Sequence, residues 1–443
     1  MDAVTGRTRE NTAAHATTTC ALTGGRYAAA RHASEAMSEA AHTVGGMRIL
    51  HTSDWHIGRT FHGHSTLDAL RSVLRELTRQ VGEHGVDVVI VAGDVFDSAV
   101  PAASCYTLLS ETLRGLADTG AHVVVTSGNH DSAARLGFQS GLLRDGIHVV
   151  TDPLTIGTPI TIDDETGPVH FYGIPYLEPA LVRHMWPGAE LRTQAQALAH
   201  AMSLIDADLD KRGGRSVAIS HCFAGDVVPT PGVERDIQQG GLDVVPLSVF
   251  DRPDYTALGH IHGRQQLAPA VRYAGAPLHY SFGEAGKPRG SWIVDLDADG
   301  FAQAEWLDLP VPRRLVPLEG TLDELLTDAR FAADEDAWVS VRYTDVAPQR
   351  DPMRRLQQRF PFCATVAHAP SVVNEPDGLT YAARVRTAKG DDHDLVDAFL
   401  AHVRNGIGAT ERESEIIREV LTEHAAAVPG PADGVVEKAE TVA

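Results

Sequence analysis

Ala257-Leu258-Gly259-His260-Ile261-His262-Gly263-Arg264 ends an apolar run in two histidines separated by one apolar residue, with a glycine on either side. Residues two apart in extended chain point the same way, so both imidazoles can approach one spot. Glycine lets the backbone come close to a small ion or take φ > 0. Among 22 histidines such a pair alone says little. Its weight depends on how many other segments end in a complementary group.

A βα rhythm surrounds the pair. Met47–Thr52 reads as a strand ending in Ser53-Asp54-Trp55-His56, and Leu67, Leu70, Leu74, Leu77 and Val81 recur at helical spacing, predicting a helix over about 65–84. Val86–Val91 is a near-continuous apolar run, as in a strand buried on both faces, and it stops at Gly93-Asp94. A helix is expected over about 102–118, then a strand Ala121–Thr126 that stops at Ser127-Gly128-Asn129-His130-Asp131. Val169–Ile174, Ser216–Ser220 (ending at His221), Tyr255–Leu258 and Val271–Ala274 complete the strands. Polar groups just past strand ends mark the ligand edge of layered α/β sheets, so the expected fold is a layered α/β domain over 47–308.

A chain of 443 residues exceeds one ordinary core, so further domains are expected. Leu309-Pro310-Val311-Pro312 punctuates the chain, and a β-α-β-α-β pattern follows it. That pattern predicts a small α+β domain over 309–388. Val396, Phe399, Leu400 and Val403, then Ile416, Ile417, Val420 and Leu421, form two apolar stripes separated by Asn405-Gly406. They predict a helical segment over 389–426, packed on the small domain or docked on a partner. Residues 1–46 and 427–443 lack sustained periodicity and read as disordered ends. The histidines of the first stretch (His15, His32, His42) are not ligand candidates.

The net charge of −21 argues against generic nucleic-acid affinity. Residues 391–443 hold 12 Asp/Glu against 4 Lys/Arg, so part of that acid sits at one end and a local DNA path remains compatible. Cys20, Cys105, Cys222 and Cys363 are scattered without a C-x-x-C, which predicts free thiols in a reducing compartment. No apolar run approaches the ~18 residues of a membrane span, and the first 46 residues lack the apolar segment of a signal peptide. The expected location is cytoplasmic, with no membrane.

Asp54, His56, Asp94, Asn129, His221, His260 and His262 are seven nitrogen or oxygen ligands at strand ends. A two-metal centre needs about this number: one carboxylate bridges, and two incomplete shells leave room for substrate. Ions ~3.5–4 Å apart then clamp the attacking and leaving oxygens of a phosphate displacement. Without thiolates the set suits manganese, magnesium or iron(II) better than structural zinc. Singly, each residue has a bland reading: Asp54 as a cap, Asp94 and Asn129 as turn residues, His221 as a bonded core imidazole. The metal reading comes from all seven sharing one sheet edge.

Asp54-x-His56, Gly93-Asp94, Gly128-Asn129-His130-Asp131, His221 and Gly259-His260-x-His262 resemble, in order, the motifs of calcineurin-like metallophosphoesterases. More narrowly, the chain is similar to the SbcD-type DNA-repair nucleases. That likeness rests on Thr52–Gly58, Gly93–Asp97, Glu234-Arg235-Asp236-Ile237, Ala257–His262, Tyr273–Pro277 and Ser281-Phe282-Gly283-Glu284. The resemblance implies a metallophosphoesterase β-sandwich flanked by helices. It implies Asp54, His56 and His262 on one metal, Asn129, His221 and His260 on the other, and Asp94 between them. The ions would be two divalent metals, manganese first.

In the same pattern His130 is the general acid or charge stabiliser, and Asp131 is expected to orient it. Asp97 stands where archaeal and eukaryotic relatives tend to carry a histidine. Arg59, His62, His64 and Arg264 are substrate-contact candidates, with solvated loop residues as the bland alternative. Ser281–Glu284 either steers DNA or closes the domain. The implied activity is 3′→5′ exonuclease action on double-stranded DNA ends and endonuclease action on single strands and hairpins, in repair, recombination and replication. The implied partners are DNA, an SbcC-type coiled-coil ATPase and a second copy, as a homodimer within a heterotetramer. Residues 309–388 would cap DNA, and 389–426 would dock on the ATPase. The rivals are a small-molecule phosphodiesterase of the same superfamily and a non-catalytic scaffold.

Overall fold

A computed structural model describes residues 45–225, 244–370, 392–404 and 407–427. Nearly all of the predicted N-terminal extension, the motif Glu234-Arg235-Asp236-Ile237, the Asn405-Gly406 break and the predicted tail beyond 427 lie outside the described residues. The chain divides into two compact units after Pro312.

The first unit carries β1 (Met47–Thr52), β2 (Thr60–Phe61), β3 (His64–Ser65), β4 (Val88–Ala92), β5 (His122–Thr126), β6 (Ile147–Val150), β7 (Ile160–Asp164), β8 (Gly167–Gly173), β9 (Arg215–His221), β10 (Tyr255–Gly259), β11 (Gln265–Ala268), β12 (Val271–Tyr273), β13 (Gly290–Asp297) and β14 (Gly300–Asp308). One six-stranded sheet runs β14-β13-β1-β4-β5-β6, and the other runs β11-β12-β10-β9-β8-β7.

Side-chain alternation explains both the sandwich and its helical cover. Ile49, Val88, Ile90 and Val124 of the first sheet meet Phe171, Val217, Ile219 and Ala257 of the second in one buried layer. The alternate residues Leu50, Val89, Val91, Val123 and Val125 face the helices Leu67–Glu83 and Ala103–Asp118. Ala218 and Leu258 face the helix Gln194–Arg212 in the same way. Strands buried on both faces read as continuous apolar runs, which is why β4 and β5 were plain in the sequence.

The hairpin β13–β14 is absent from the sequence reading. It pairs antiparallel with β1, and β14 leaves most of its residues partly or fully exposed, so it has no apolar run to announce it. Parallel register brings strand ends level: Thr52 pairs with Val91, Ala92 with Thr126, and Gly259 with His221.

His51 is fully buried between the sheets, with Nδ1 2.9 Å from the Tyr255 hydroxyl and Nε2 3.1 Å from the Leu258 carbonyl. Burial lowers its pKa from 6.5 to about 3. Below pH 6.5 the unfolded chain binds a proton that the folded one refuses, so the neutral imidazole is harmless above pH 6.5 and subtracts stability as pH falls toward 3. The slope in that window is about 1.4 kcal/mol per pH unit. His51→Gln is therefore expected to gain about 2 kcal/mol on the wild type between pH 7 and pH 5. Urea midpoints of both proteins at the two pH values test this; a difference independent of pH would remove the role.

In the second unit β15 (Leu315–Gly320), β16 (Trp338–Tyr343) and β17 (Cys363–His368) form a parallel sheet in that order. Leu318, Leu325, Phe331, Val339, Val341 and Phe360 build its core with the crossover helices Leu322–Thr327 and Pro352–Leu356. The helices Asp392–Val403 and Glu411–Ala427 pack on each other and are tied by Arg404 donating to Glu413 at 2.9 Å. Leu395, Phe399, Val403, Ile416 and Val420 stay exposed on this hairpin. No helix among the described residues is long and apolar enough to cross a membrane.

Candidate metal centre

Asp54 and His56 follow β1, Asp94 follows β4, Asn129 and His130 follow β5, His221 ends β9, and His260 and His262 follow β10. The loops leave the sheet in strained backbone: φ is 54° at Asp54, 44° at His56, 49° at Asp94 and 106° at His260. Such conformations persist only where surroundings over-determine them, and they gather at functional sites. Here Asp54 N–H donates to the Gly93 carbonyl at 3.1 Å, and His56 N–H to the Asp94 carbonyl at 2.9 Å. Gly128 packs so closely on Asp94 that any Cβ would collide with its carboxylate.

The side chains fall into two groups. His56 Nε2 and His262 Nε2 stand 3.0 Å apart, with the Asp54 carboxylate close enough to share one ion with them. Asn129 Oδ1 stands 3.0 Å from His221 Nε2 and 3.1 Å from His260 Nδ1. Asp94 Oδ2 lies between the groups, 3.5 Å from His56 Nε2 and 3.4 Å from His221 Nε2. His260 and His262 thus diverge into different groups, while Ile261 between them is fully buried in the core. Asp54, His56, Asp94, His221 and His262 are buried, and Asn129, His130 and His260 form the half-buried side.

The donor set fits divalent ions. Two ligands each about 2.1 Å from one ion and at right angles stand about 3.0 Å apart, the spacing found within both groups. Charge agrees. Burial would raise the Asp94 carboxyl, but the His221, His56 and His130 imidazoles more than reverse this and hold it well below the usual range. Burial and then Asp94 raise Asp54, against the pull of His221 and His56. His221 is pushed up to about 9, since Asp94 outweighs the burial that lowers it. Burial and the His221 charge lower His260 to about 3, and burial with His56 lowers His262 well below its ordinary value. Left to itself the cluster balances Asp94 with a proton on His221; a ligand imidazole must be neutral, so a cation beside that carboxylate would release the proton.

His130 and Asp131 require a correction. Asp131 does not orient His130: its carboxylate accepts from Val95 N–H (3.1 Å), Phe96 N–H (2.8 Å) and Gly128 N–H (2.9 Å), tying the β4 and β5 loops together. Burial and the Asp94 charge push it up to about 6. His130 Nδ1 instead lies 2.9 Å from the main-chain carbonyl of Asp97. The Asp97 carboxylate stands 3.3 Å from His56 Nδ1 and 3.1 Å from Arg59 Nη1, so one residue braces both histidines. Glu284, fully buried, lies 3.7 Å from His262 Nδ1 and caps the turn begun by Ser281.

Among the substrate-contact candidates, Arg59 is thus committed to Asp97 and also lies 5.0 Å from the Tyr280 ring centre. His62 and His64 are exposed on the β2–β3 hairpin, and the exposed Arg264 guanidinium lies 4.7 Å from the Trp306 ring.

Asp97→Ala removes the carboxylate behind His56 but leaves the carbonyl that holds His130. Loss of such a partner typically costs 10- to 100-fold in metal affinity. Calorimetric titration with Mn²⁺ is expected to show a loss in that range at one site, with the fold intact by circular dichroism; unchanged affinity at both sites would refute the bracing role.

Residues 47–264 match the calcineurin-like phosphoesterase family model, and residues 311–404 match the SbcD_C model, described as a type 5 capsule protein repressor C-terminal domain. Among solved structures the chain is similar to TT1561 of Thermus thermophilus, at 12% identity over 59% of this chain and 99% of that one with a TM-score of 0.36. It is also similar to a dimetal phosphatase from Danio rerio, at 13% identity over 60% and 100% with a TM-score of 0.35. Scores this low leave the assignment to the family models. The matched span begins at β1 and ends just past His262, taking in every group of the cluster, and this domain belongs to the calcineurin-like phosphoesterases, a family of metal-dependent phosphodiester hydrolases with dinuclear sites.

Proposed function

We propose that this chain is the nuclease subunit of an SbcCD-type complex, hydrolysing DNA phosphodiesters as a 3′→5′ exonuclease on duplex ends and an endonuclease on single strands and hairpins. The observation that carries the reading is the joint occurrence of a phosphoesterase cluster at the sheet end and an SbcD_C match over 311–404. Asp54, His56 and His262 would hold one divalent ion, Asn129, His221 and His260 the other, with Asp94 shared. When bound, such ions supply Lewis-acid stabilisation of phosphoryl charge and an activated water.

The chain's own contribution is placement and proton handling. The Asp97 carboxylate lies 3.3 Å from His56 Nδ1, and the Asp97 carbonyl accepts from His130 Nδ1–H, so His130 Nε2 accepts in the neutral ring and carries a transferable proton in the imidazolium. Asp94 accepts from His130 N–H at 2.9 Å, so the loop bearing His130 is tied to the shared carboxylate. Residues 309–388 would cap the DNA, and the 389–426 segment, whose apolar side chains are exposed, would dock on an SbcC-type ATPase.

The test is cleavage of end-labelled blunt and hairpin duplexes with Mn²⁺ or Mg²⁺, with and without the ATPase, against turnover of cyclic nucleotides. Nucleotide release and hairpin opening are expected. Turnover of cyclic nucleotides without DNA cleavage would replace this reading with a small-molecule phosphodiesterase, and turnover of neither with a scaffold.

A further inference from the structure

The β2–β3 hairpin begins four residues after His56 and turns on His62-Gly63, with φ of 47° and 84°. Positive φ at both central positions is primed-turn geometry, which Asn, Asp and Gly take at little cost. A histidine there is strained, and the fold asks for none. Its imidazole is exposed and stands edge-on to Phe61 with ring centres 4.6 Å apart. Phe282, half-buried, closes the group at 5.5 Å from Phe61 and 5.7 Å from His62.

Both halves are anchored to the metal centre. Arg59 N–H donates to the His56 carbonyl at 2.9 Å, and the Thr66 hydroxyl to the Arg59 carbonyl at 2.7 Å, so the hairpin base is fixed. Tyr280, two residues before Phe282, lies 5.5 Å from the His56 ring and 5.8 Å from the His262 ring. The buried Glu284 carboxylate accepts from Ser281 N–H and holds the intervening turn.

We propose that His62 and Phe282, backed by Phe61, form a stacking ledge for one unpaired nucleobase beside the metal centre. Aromatic rings stack any base by its π-face, so the ledge reads the presence of a base and not its identity. It would hold an end or a loop open while the backbone reaches the ions, which a fully paired duplex does not allow. This rests on the DNA-cleaving reading above.

The experiment uses the full chain, metal-stripped for binding and Mn²⁺-loaded for cleavage. His62→Asn keeps a residue suited to the turn and removes the ring; Phe282→Leu keeps the apolar contact. A duplex with an unpaired 3′-terminal 2-aminopurine should be quenched on binding the wild type, and each variant should lose most of the quenching and bind ten- to hundredfold more weakly. Making that terminal residue abasic should weaken wild-type binding by a similar factor and the variants hardly at all. Variants that quench and bind as the wild type does, or a wild type indifferent to the missing base, would overturn the ledge. If the wild type cleaves DNA yet ignores the base, only the ledge falls. If it cleaves no DNA, the nuclease reading falls and the ledge with it.

Discussion

Asp94→Asn is expected to lower DNA cleavage by about 10²- to 10⁴-fold, the equivalent of about 3–5 kcal/mol of transition-state stabilisation, while leaving the fold intact. The substitution is isosteric. Asp94 Oδ1 accepts from His130 N–H at 2.9 Å, and an amide oxygen can keep that bond. What changes is the other oxygen, 3.5 Å from His56 Nε2 and 3.4 Å from His221 Nε2. An amide has no negative charge to share between two cations, and an NH₂ turned toward the imidazoles would repel them. Thermal melts separate lost binding from misfolding. An ion at a thousandfold its dissociation constant stabilises a folded protein by about 4 kcal/mol, so Mn²⁺ should raise the wild-type melting temperature. In chelator the variant should melt below the wild type, because the His221, His56 and His130 imidazoles favour the Asp94 carboxylate and lose their counter-charge when it becomes an amide. It should gain little from Mn²⁺. A variant that gained the full Mn²⁺ shift would show that Asp94 is not shared by the ions.

The sequence exposes a residue when chemistry and strand position coincide. Asp54, Asp94, Asn129, His221 and His260 each stand at or just past the end of a run whose apolarity is plain, and the structure brings them to one sheet edge with His56 and His262. What escaped is whatever depends on direction or on main chain. Asp131 is expected to orient His130 because an imidazole needs a partner on its other nitrogen. Neighbouring side chains diverge, and this one takes three backbone N–H groups instead. The true neighbour of His130 Nδ1 is the Asp97 carbonyl, and no side-chain identity advertises a carbonyl. Glu284 was legible in principle, since Ser281-Phe282-Gly283-Glu284 has the S-x-x-E form of a capping box. Its burial against His262 depends on tertiary packing that periodicity does not describe. The β13–β14 hairpin escaped because a strand half open to solvent has a mixed composition.

His130→Ala should separate proton transfer from ion binding. The ring stands edge-on to His56 with centres 4.8 Å apart, yet its Nδ1 is turned to the Asp97 carbonyl, so Nε2 is left for a substrate oxygen. A positioned general acid contributes about 10²- to 10⁴-fold, and a loss of that size in kcat on DNA is expected while the Mn²⁺ shift in melting temperature stays at the wild-type value. The nature of the leaving group decides what the loss means. The alkoxide expelled from DNA needs a proton, whereas 4-nitrophenolate leaves without one. The variant should therefore lose far less on bis(4-nitrophenyl) phosphate than on DNA. Equal losses on both substrates would make His130 a stabiliser of phosphoryl charge. A smaller Mn²⁺ shift would instead make it a ligand, an arrangement that His56, Asp97 and His130 are close enough together to permit, and the proton would then have to come from another group.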